Sequence, residues 1–212
     1  MRSVRRHGKQ VLLELEKGVL LVRLGMTGSL RAGGAAGPHT RAVFHLDRGG
    51  VVRFEDIRQF GSLRWLPQSP VDDAPDPLAI LPDDFARRLA GRNTPVKRLL
   101  LDQSFLRGIG NIYADEILFR ARIHPSLPSG SLSSARMRRL HRTMQTVLSE
   151  AIAHGGSTVS DYVDATGRPG RFQLLHRVYR RQGRPCPRCG AAILRIVVAQ
   201  RGTHYCPICQ PR

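Results

Sequence analysis

The stretch LLLDQSFLRGIGNIYADEIL, residues 99–118, decides how the chain is organised. Apolar residues recur at helical spacing on both sides of a short G-I-G-N segment, so two helices are expected to meet at a tight turn. Gly108 and Gly110 permit close backbone approach, and Asn111 is expected to cap the second helix. The start of a helix presents unpaired amides, which makes it a natural phosphate site. An ordinary helical hairpin with a glycine turn would read the same way on this segment alone.

Downstream, residues 133–154 pattern as one long amphipathic helix, stopped by Gly155 and Gly156. A loop rich in Gly, Ser, Asp and Thr follows as far as Gly170. The tail then reads CPRCGAAILRIVVAQRGTHYCPIC over residues 186–209, a C-x2-C-x16-C-x2-C spacing. Folding its apolar middle as a hairpin, with a turn near Gln200–Gly202, brings Cys186, Cys189, Cys206 and Cys209 together. Four thiolates so placed make a tetrahedral zinc site. Four protein ligands leave no open position for substrate, so one structural zinc ion per chain is expected. A redox C-x-x-C is the competing reading, and two such pairs flanking one hairpin argue against it.

Upstream of the two-turn segment, DDFARRLAGR (83–92) reads as a further short helix. Before it, PQSPVDDAPDPLAILP (67–82) carries five prolines and three aspartates, which suits a linker and not an element interior. The first third is β-rich. VLLEL (11–15) and VLLVRL (19–24) flank a short E-K-G turn and form a hairpin. AVFHL (42–46) and VVRFE (51–55) close on D-R-G-G, and SLRWL (62–66) follows as another strand. Near-continuous apolar runs suggest strands covered on both faces, as in a sandwich.

The chain has 212 residues, of which 41% are hydrophobic, enough for a real core. It carries 34 basic residues against 16 acidic ones, a net charge of +18. A field of that sign attracts polyanions, nucleic acid above all. Arginine-rich coding explains the type of cation, since only Lys9, Lys17 and Lys97 are lysines, but not the excess over acids. The apolar stretch from Val11 to Leu24 is broken by Glu14, Glu16 and Lys17, so it is neither a signal segment nor a membrane span. Paired cysteines without a disulfide framework suit a reducing compartment. A cytoplasmic protein of bacterial type, working at the nucleoid as a monomer and away from membranes, is expected.

Four segments, taken in order, resemble the formamidopyrimidine-DNA glycosylase and endonuclease VIII family. These are L-G-M-T-G-S-L-R (24–31), D-I-R-Q-F-G (56–61), D-Q-S-F-L-R-G-I-G-N-I-Y-A-D-E (102–116), and the cysteine-rich tail with V-Y-R-R-Q-G-R-P-C-P-R-C-G and A-Q-R-G-T-H-Y-C-P-I-C-Q. The resemblance covers essentially the whole chain, and R-x-F-G favours the formamidopyrimidine branch. It implies base-excision repair of damaged double-stranded DNA: removal of oxidised purines such as 8-oxoguanine and formamidopyrimidines, then strand cleavage by β,δ-elimination. Lesions are flipped out of the duplex. The resemblance makes Met26, Arg58 and Phe60 the trio that fills the gap, a flexible thioether and a ring to wedge the stack and a guanidinium to bond the orphaned base. Packing in a core is the ordinary alternative for Met26 and Phe60.

By the same resemblance Lys9 is the proton donor of β-elimination, and Arg201 serves δ-elimination and phosphate binding. Lysine exchanges protons near neutrality once its pKa is lowered, whereas arginine does not; a plain phosphate contact for Lys9 and a solvated turn for Arg201 are the bland readings. His39 and Asn111 are implied phosphate contacts. Asn93, beside Arg92, stands where the family has a lysine. Residues 157–172 correspond to the loop that caps the flipped base.

In the family the mature chain starts with a nucleophilic proline and an acid/base glutamate, ahead of the Lys9 equivalent. No residue of this sequence matches either, so the resemblance implies a front end missing before Met1. The alternative is a divergent, non-catalytic binder of damaged DNA. A basic zinc ribbon from a ribonucleoprotein would also explain charge and cysteines, but not the M-T-G and R-Q-F-G segments. The expected fold is multidomain α+β: a partial β-sandwich (1–66), a linker (67–82), a helix–two-turn–helix domain with the capping loop (83–176) and a zinc β-hairpin (177–211), with DNA between the lobes.

Overall fold

The computed structural model describes residues 1–70, 74–160 and 162–212. Part of the expected linker, 71–73, and one residue of the capping loop, Asp161, lie outside the described residues. The chain divides into two units, Met1–Asp72 with Ala151–Leu174, and Asp73–Glu150 with Leu175–Arg212.

The first unit is built on two antiparallel sheets. Strands β1 (Ser3–His7), β2 (Gln10–Glu14), β3 (Val19–Arg23) and β7 (Ser62–Leu66) form one, in the order β1-β2-β3-β7. Strands β4 (Gly28–Ala32), β5 (Thr40–His45) and β6 (Val51–Asp56) form the other, in the order β4-β6-β5. The expected hairpin is β2–β3, with Gln10 opposite Arg23 and Glu14 opposite Val19. Leu12, Val19 and Leu21 bury together against Leu66. The turn needs glycine: Gly18 has φ +76°, and a Cβ there would lie 2.5 Å from the Leu66 carbonyl oxygen.

Strand β1 extends the sheet beyond the expected hairpin, for it pairs along its whole length with β2. Its exposed Val4, Arg5 and Arg6 hide the alternation, and charge on an edge strand guards it against further pairing. Arg5 and Ser3 both bond the Glu14 carboxylate across the pair.

The segment Ala151–Leu174 groups with the sheets. Ala32 of β4 donates its amide to the Ala165 carbonyl at 2.9 Å. Asp164 ties the loop tip by accepting from the amides of Thr166 and Arg168 and the Thr166 hydroxyl.

The second unit is helical, with α1 (Pro82–Leu89), α2 (Val96–Leu101), α3 (Asn111–Arg120) and most of α4 (Ser134–Ala153). Helix α1 starts on a proline whose missing N–H costs nothing there, with acids in its first turn and arginines in its last, as the helix dipole favours. Helix α4 ends where Gly155 and Gly156 both adopt positive φ. Phe85, Leu89, Leu100, Leu106, Ile109, Ile117, Leu140 and Met144 form a fully buried core. Between α2 and α3 the Gln103 side chain organises the double turn: it accepts from the Gly108 amide and donates to the carbonyls of Leu101 and Ile109.

Strands β8 (Leu194–Val198) and β9 (Arg201–Tyr205) make the ribbon hairpin. Its turn falls on Ala199–Gln200, both left-handed at φ +50° and +59°, one residue earlier than the expected Gln200–Gly202. A two-residue turn with both residues left-handed matches the twist of a hairpin.

Three side chains dock the C-terminal segment onto α2 and α3. Lys97, fully buried, reaches Asp115 at 2.6 Å, the Thr203 hydroxyl at 2.7 Å and the Gly202 carbonyl at 3.3 Å. Asp115 also accepts the His204 amide at 2.8 Å. Next to it, Glu116 accepts the amides of Arg177, Val178 and Tyr179. Burial pushes both ionised groups toward neutrality. For Lys97 it lowers the pKa against the pull of Asp115, and for Glu116 it raises the pKa against the three amides.

Removing one partner of a buried pair strands the other charge. Asp115→Ala is therefore expected to cost about 3–5 kcal/mol in urea unfolding. The double change Lys97→Met with Asp115→Leu should recover much of that, and a single-variant loss below about 1 kcal/mol would contradict the pairing.

Candidate functional site

In the first unit, two loops converge. One is Gly25–Thr27 between β3 and β4, and the other is Ile57–Gly61 after β6. Their anchor is Asp56, which is buried. Its carboxylate accepts the Thr27 hydroxyl at 2.6 Å and the Gly61 amide at 2.7 Å, and the amides of Arg58 and Gln59 also bond it. Burial alone would raise its pKa, but these donors outweigh it and hold the carboxyl below its ordinary value of 3.8. Gln59 takes φ +58° to close the loop. Two glycines allow the approach: a Cβ on Gly25 would lie 2.9 Å from the Phe60 carbonyl carbon, and one on Gly61 would lie 2.6 Å from the Phe54 ring.

Met26, Arg58 and Phe60 come together on the outside of this anchor. Met26 is 66% exposed and Phe60 is 55% exposed, so neither packs in a core. The Arg58 guanidinium lies over the Phe60 ring, 4.7 Å from its centroid, and 3.7 Å from the Met26 sulfur. Its backbone amide donates to Thr27 Oγ1 at 3.1 Å. Exposed apolar groups held around one cation form a wedge that is costly to leave in water and suited to insertion between stacked rings.

His39 is exposed just before β5, and its carbonyl accepts the Asp56 amide at 2.9 Å. It lines a groove of about 280 Å³ with Thr27, Ser29, Arg31, Glu55 and Val163, the last from the segment that follows α4. Lys9 stands exposed in the two-residue turn between β1 and β2.

In the second unit, Arg201 is exposed directly after the ribbon turn. Asn111 lies at the first turn of α3, but it is not the cap that the sequence suggests. Gly110 holds that position in extended backbone, and no side chain caps it. The Asn111 amide reaches across instead to the Gly202 carbonyl at 3.0 Å, which fixes the residue after Arg201. Asn93 is exposed in the loop before α2. Its neighbour Arg92 donates to the Arg88 carbonyl at 2.7 Å and lies over the Phe105 ring, so Arg92 is already engaged.

The four cysteine sulfurs lie within 4.8 Å of one another. Cys186–Cys209 is 3.9 Å and Cys189–Cys206 is 3.4 Å. Zinc–sulfur bonds of about 2.3 Å in a tetrahedron place sulfurs about 3.8 Å apart, so the residues fit the ion. Amides of Arg188 and Cys209 donate to Cys186 and Cys206 sulfurs, as they would to thiolates. Burial and the neighbouring sulfurs push the Cys209 thiol up to about 12, a cost that a dication in the centre reverses. Zinc here ties the two knuckles against Phe119, Val178 and Ile193 and takes no substrate.

Asp56, Thr27, Lys97, Asp115 and Glu116 escaped the sequence reading as site residues. Each sits inside a quoted motif or one turn from it, but nothing in residue type marks a carboxylate as buried. Because the folded pKa of Asp56 is lowered, its stabilisation is full above about pH 4 and is lost as pH falls through the folded value. The melting temperature of the native chain should exceed that of Asp56→Asn near neutrality. That gap should close on acidification; one independent of pH would contradict the anchor.

Sequence models of three domains match in order. They are the formamidopyrimidine-DNA glycosylase N-terminal domain over residues 1–63, the formamidopyrimidine-DNA glycosylase H2TH domain over 74–163, and the zinc finger found in FPG and IleRS over 183–212. The chain is 49% identical to a formamidopyrimidine-DNA glycosylase of Solibacter usitatus, covering 99% of this chain and 81% of the relative. The solved MutM (Fpg) protein of Thermus thermophilus superposes with a TM-score of 0.89 at 45% identity, over 98% of this chain and 81% of that one. Lactococcus lactis Fpg, solved with DNA containing an abasic site, gives a TM-score of 0.88 at 30% identity over 99% and 81%. The chain therefore belongs to the formamidopyrimidine-DNA glycosylase family, DNA glycosylases and abasic-site lyases of base-excision repair, with a structural zinc finger.

Proposed function

We propose that these 212 residues recognise damaged double-stranded DNA as a monomer and supply groups that act on the sugar and phosphates in the family's base excision and strand cleavage, without the nucleophile itself. One observation supports this above the others. Met26 and Phe60 stand exposed, both in contact with the Arg58 guanidinium, on a buried carboxylate anchor. A wedge of that make-up fills the space a flipped nucleotide leaves, offsetting the unstacking cost of a few kcal/mol. Oxidised purines, 8-oxoguanine and formamidopyrimidines, are the lesions we assign, with the groove beside His39 and Val163 receiving the flipped base under the 157–172 loop. Solved relatives from Lactococcus lactis hold abasic-site and Fapy-dG DNA, which favours that assignment.

In this reading Lys9 transfers a proton near the sugar during β-elimination. Arg201, its strand fixed through Gly202, stabilises phosphate charge through δ-elimination. Asn111, His39 and Asn93 position the backbone. The basic surface, and among the described residues the lack of any helix long and apolar enough to cross a membrane, suit work on nucleoid DNA in the cytoplasm.

A nucleophilic amine is still required to open the sugar, and no residue here matches the family's proline or its glutamate. The 212-residue polypeptide is thus expected to bind an abasic-site or 8-oxoguanine duplex without forming a Schiff base. Borohydride trapping checks this. Retarded duplex with no covalent adduct is the expected outcome, and an adduct would show that another amine of this chain serves as nucleophile.

A further inference from the structure

A second charged feature of the helical unit lies away from the residues assigned above. Arg122, Arg136, Arg139 and Arg188 converge on a groove of about 520 Å³ that Cys189, Ile208, Cys209 and Pro211 complete. The arginines come from three places: the end of α3, the first half of α4 and the first zinc knuckle. Arg122 holds φ +55°, a left-handed conformation uncommon for arginine. No acid lines the groove, and among the described residues none of the four has a carboxylate partner. Burial, then the charges of Arg122, Arg136 and Arg188, lower the Arg139 pKa, so the cluster repels itself.

The zinc centre is the first counter-charge to weigh. Four thiolates on a dication carry a net charge of −2, which leaves two of the four guanidinium charges unmatched. At one edge Ile208 is 67% exposed, apolar surface beside concentrated positive charge. The five residues of β9 separate the knuckles from the Arg201 turn, about 17 Å at strand rise, so this is not the Arg201–Asn111 surface.

We propose that this groove is a docking site for an acidic peptide segment of a partner protein, one that presents carboxylates to the arginines and an apolar side chain to Ile208. Planar guanidinium forks pair with carboxylates two bonds at a time, and arginine clusters are a recurring mode of acidic-motif recognition. Nucleic acid fits less well. Single strands stack on aromatic rings, and no residue lining the groove is aromatic. A duplex offers phosphates to the arginines but no apolar side chain to Ile208. A groove of this size is within the range of about 300–1,000 Å³ that accepts a few side chains.

The test uses the full zinc-loaded chain and a fluorescent octapeptide alternating aspartate and leucine, read by anisotropy at low salt. Binding is expected to weaken about tenfold in Arg139→Glu and again in Arg136→Glu with Arg139→Glu, and to fall as salt screens it. Arg142→Glu, on the same helix outside the groove, should bind as the native chain does. Ile208→Ser should weaken the leucine peptide but not an all-aspartate one. Zinc content and circular dichroism show that each variant is folded. Two results would overturn the proposal: no binding by the native chain, or displacement of the peptide by undamaged duplex with equal loss of duplex binding in the groove variants.

Discussion

Two adjacent carboxylates on one short helix hold the second unit together. Asp115 and Glu116 both point away from solvent, and each satisfies a different part of the C-terminal segment. Asp115 takes Lys97 and the His204 amide, while Glu116 takes three consecutive amides ahead of the first knuckle. Burying ionised groups is costly, and a half-satisfied network is worse than an apolar core, so these donors must be in place together. Helix α3 thus fixes the ribbon at one point and the approach to it at another. Zinc closes the far end, and at the turn end Arg201 stands next to Gly202, whose carbonyl is held by Asn111 and Lys97.

The same device, a buried carboxylate organising exposed groups, recurs in the first unit. Asp56 gathers the Gly25–Thr27 and Ile57–Gly61 loops, and the wedge of Met26, Arg58 and Phe60 follows from their closure. In both units the residues we assign to DNA contact lie on loops or at the first residue of an element, and the residues that place them lie underneath. A substitution in the lower layer should therefore disturb recognition without touching any contact.

Much of this organisation was legible from residue order. The two-turn segment, the long helix ending at paired glycines and the cysteine spacing all carry strong local constraints: turn chemistry, capping and ligand geometry. Strand β1 was missed because charges on an edge strand mask its alternation, and β4 because its glycine and serine carry little apolar pattern. Asn111 was expected to cap α3, yet its side chain spans 91 positions of sequence to Gly202. Gln200 and Ala199 form a left-handed turn that glycine usually supplies, so Gly202 drew the turn forward. Nor did local pattern show residues 151–174 grouping with the sheets, a grouping supported by the bond from Ala32 to Ala165. Non-local pairs of this kind have no trace in a local window.

Everything proposed for the first unit depends on whether the exposed wedge reads damage. The direct measurement is the affinity of the full chain for a duplex with one abasic-site analogue, set against the same duplex undamaged, in native protein and in Arg58→Ala with Phe60→Ala. The native chain should prefer the damaged duplex by about tenfold or more, and the double variant should lose that preference while keeping its salt-dependent affinity for intact DNA. Equal binding of both duplexes by the native chain, or an unchanged preference in the variant, would contradict it.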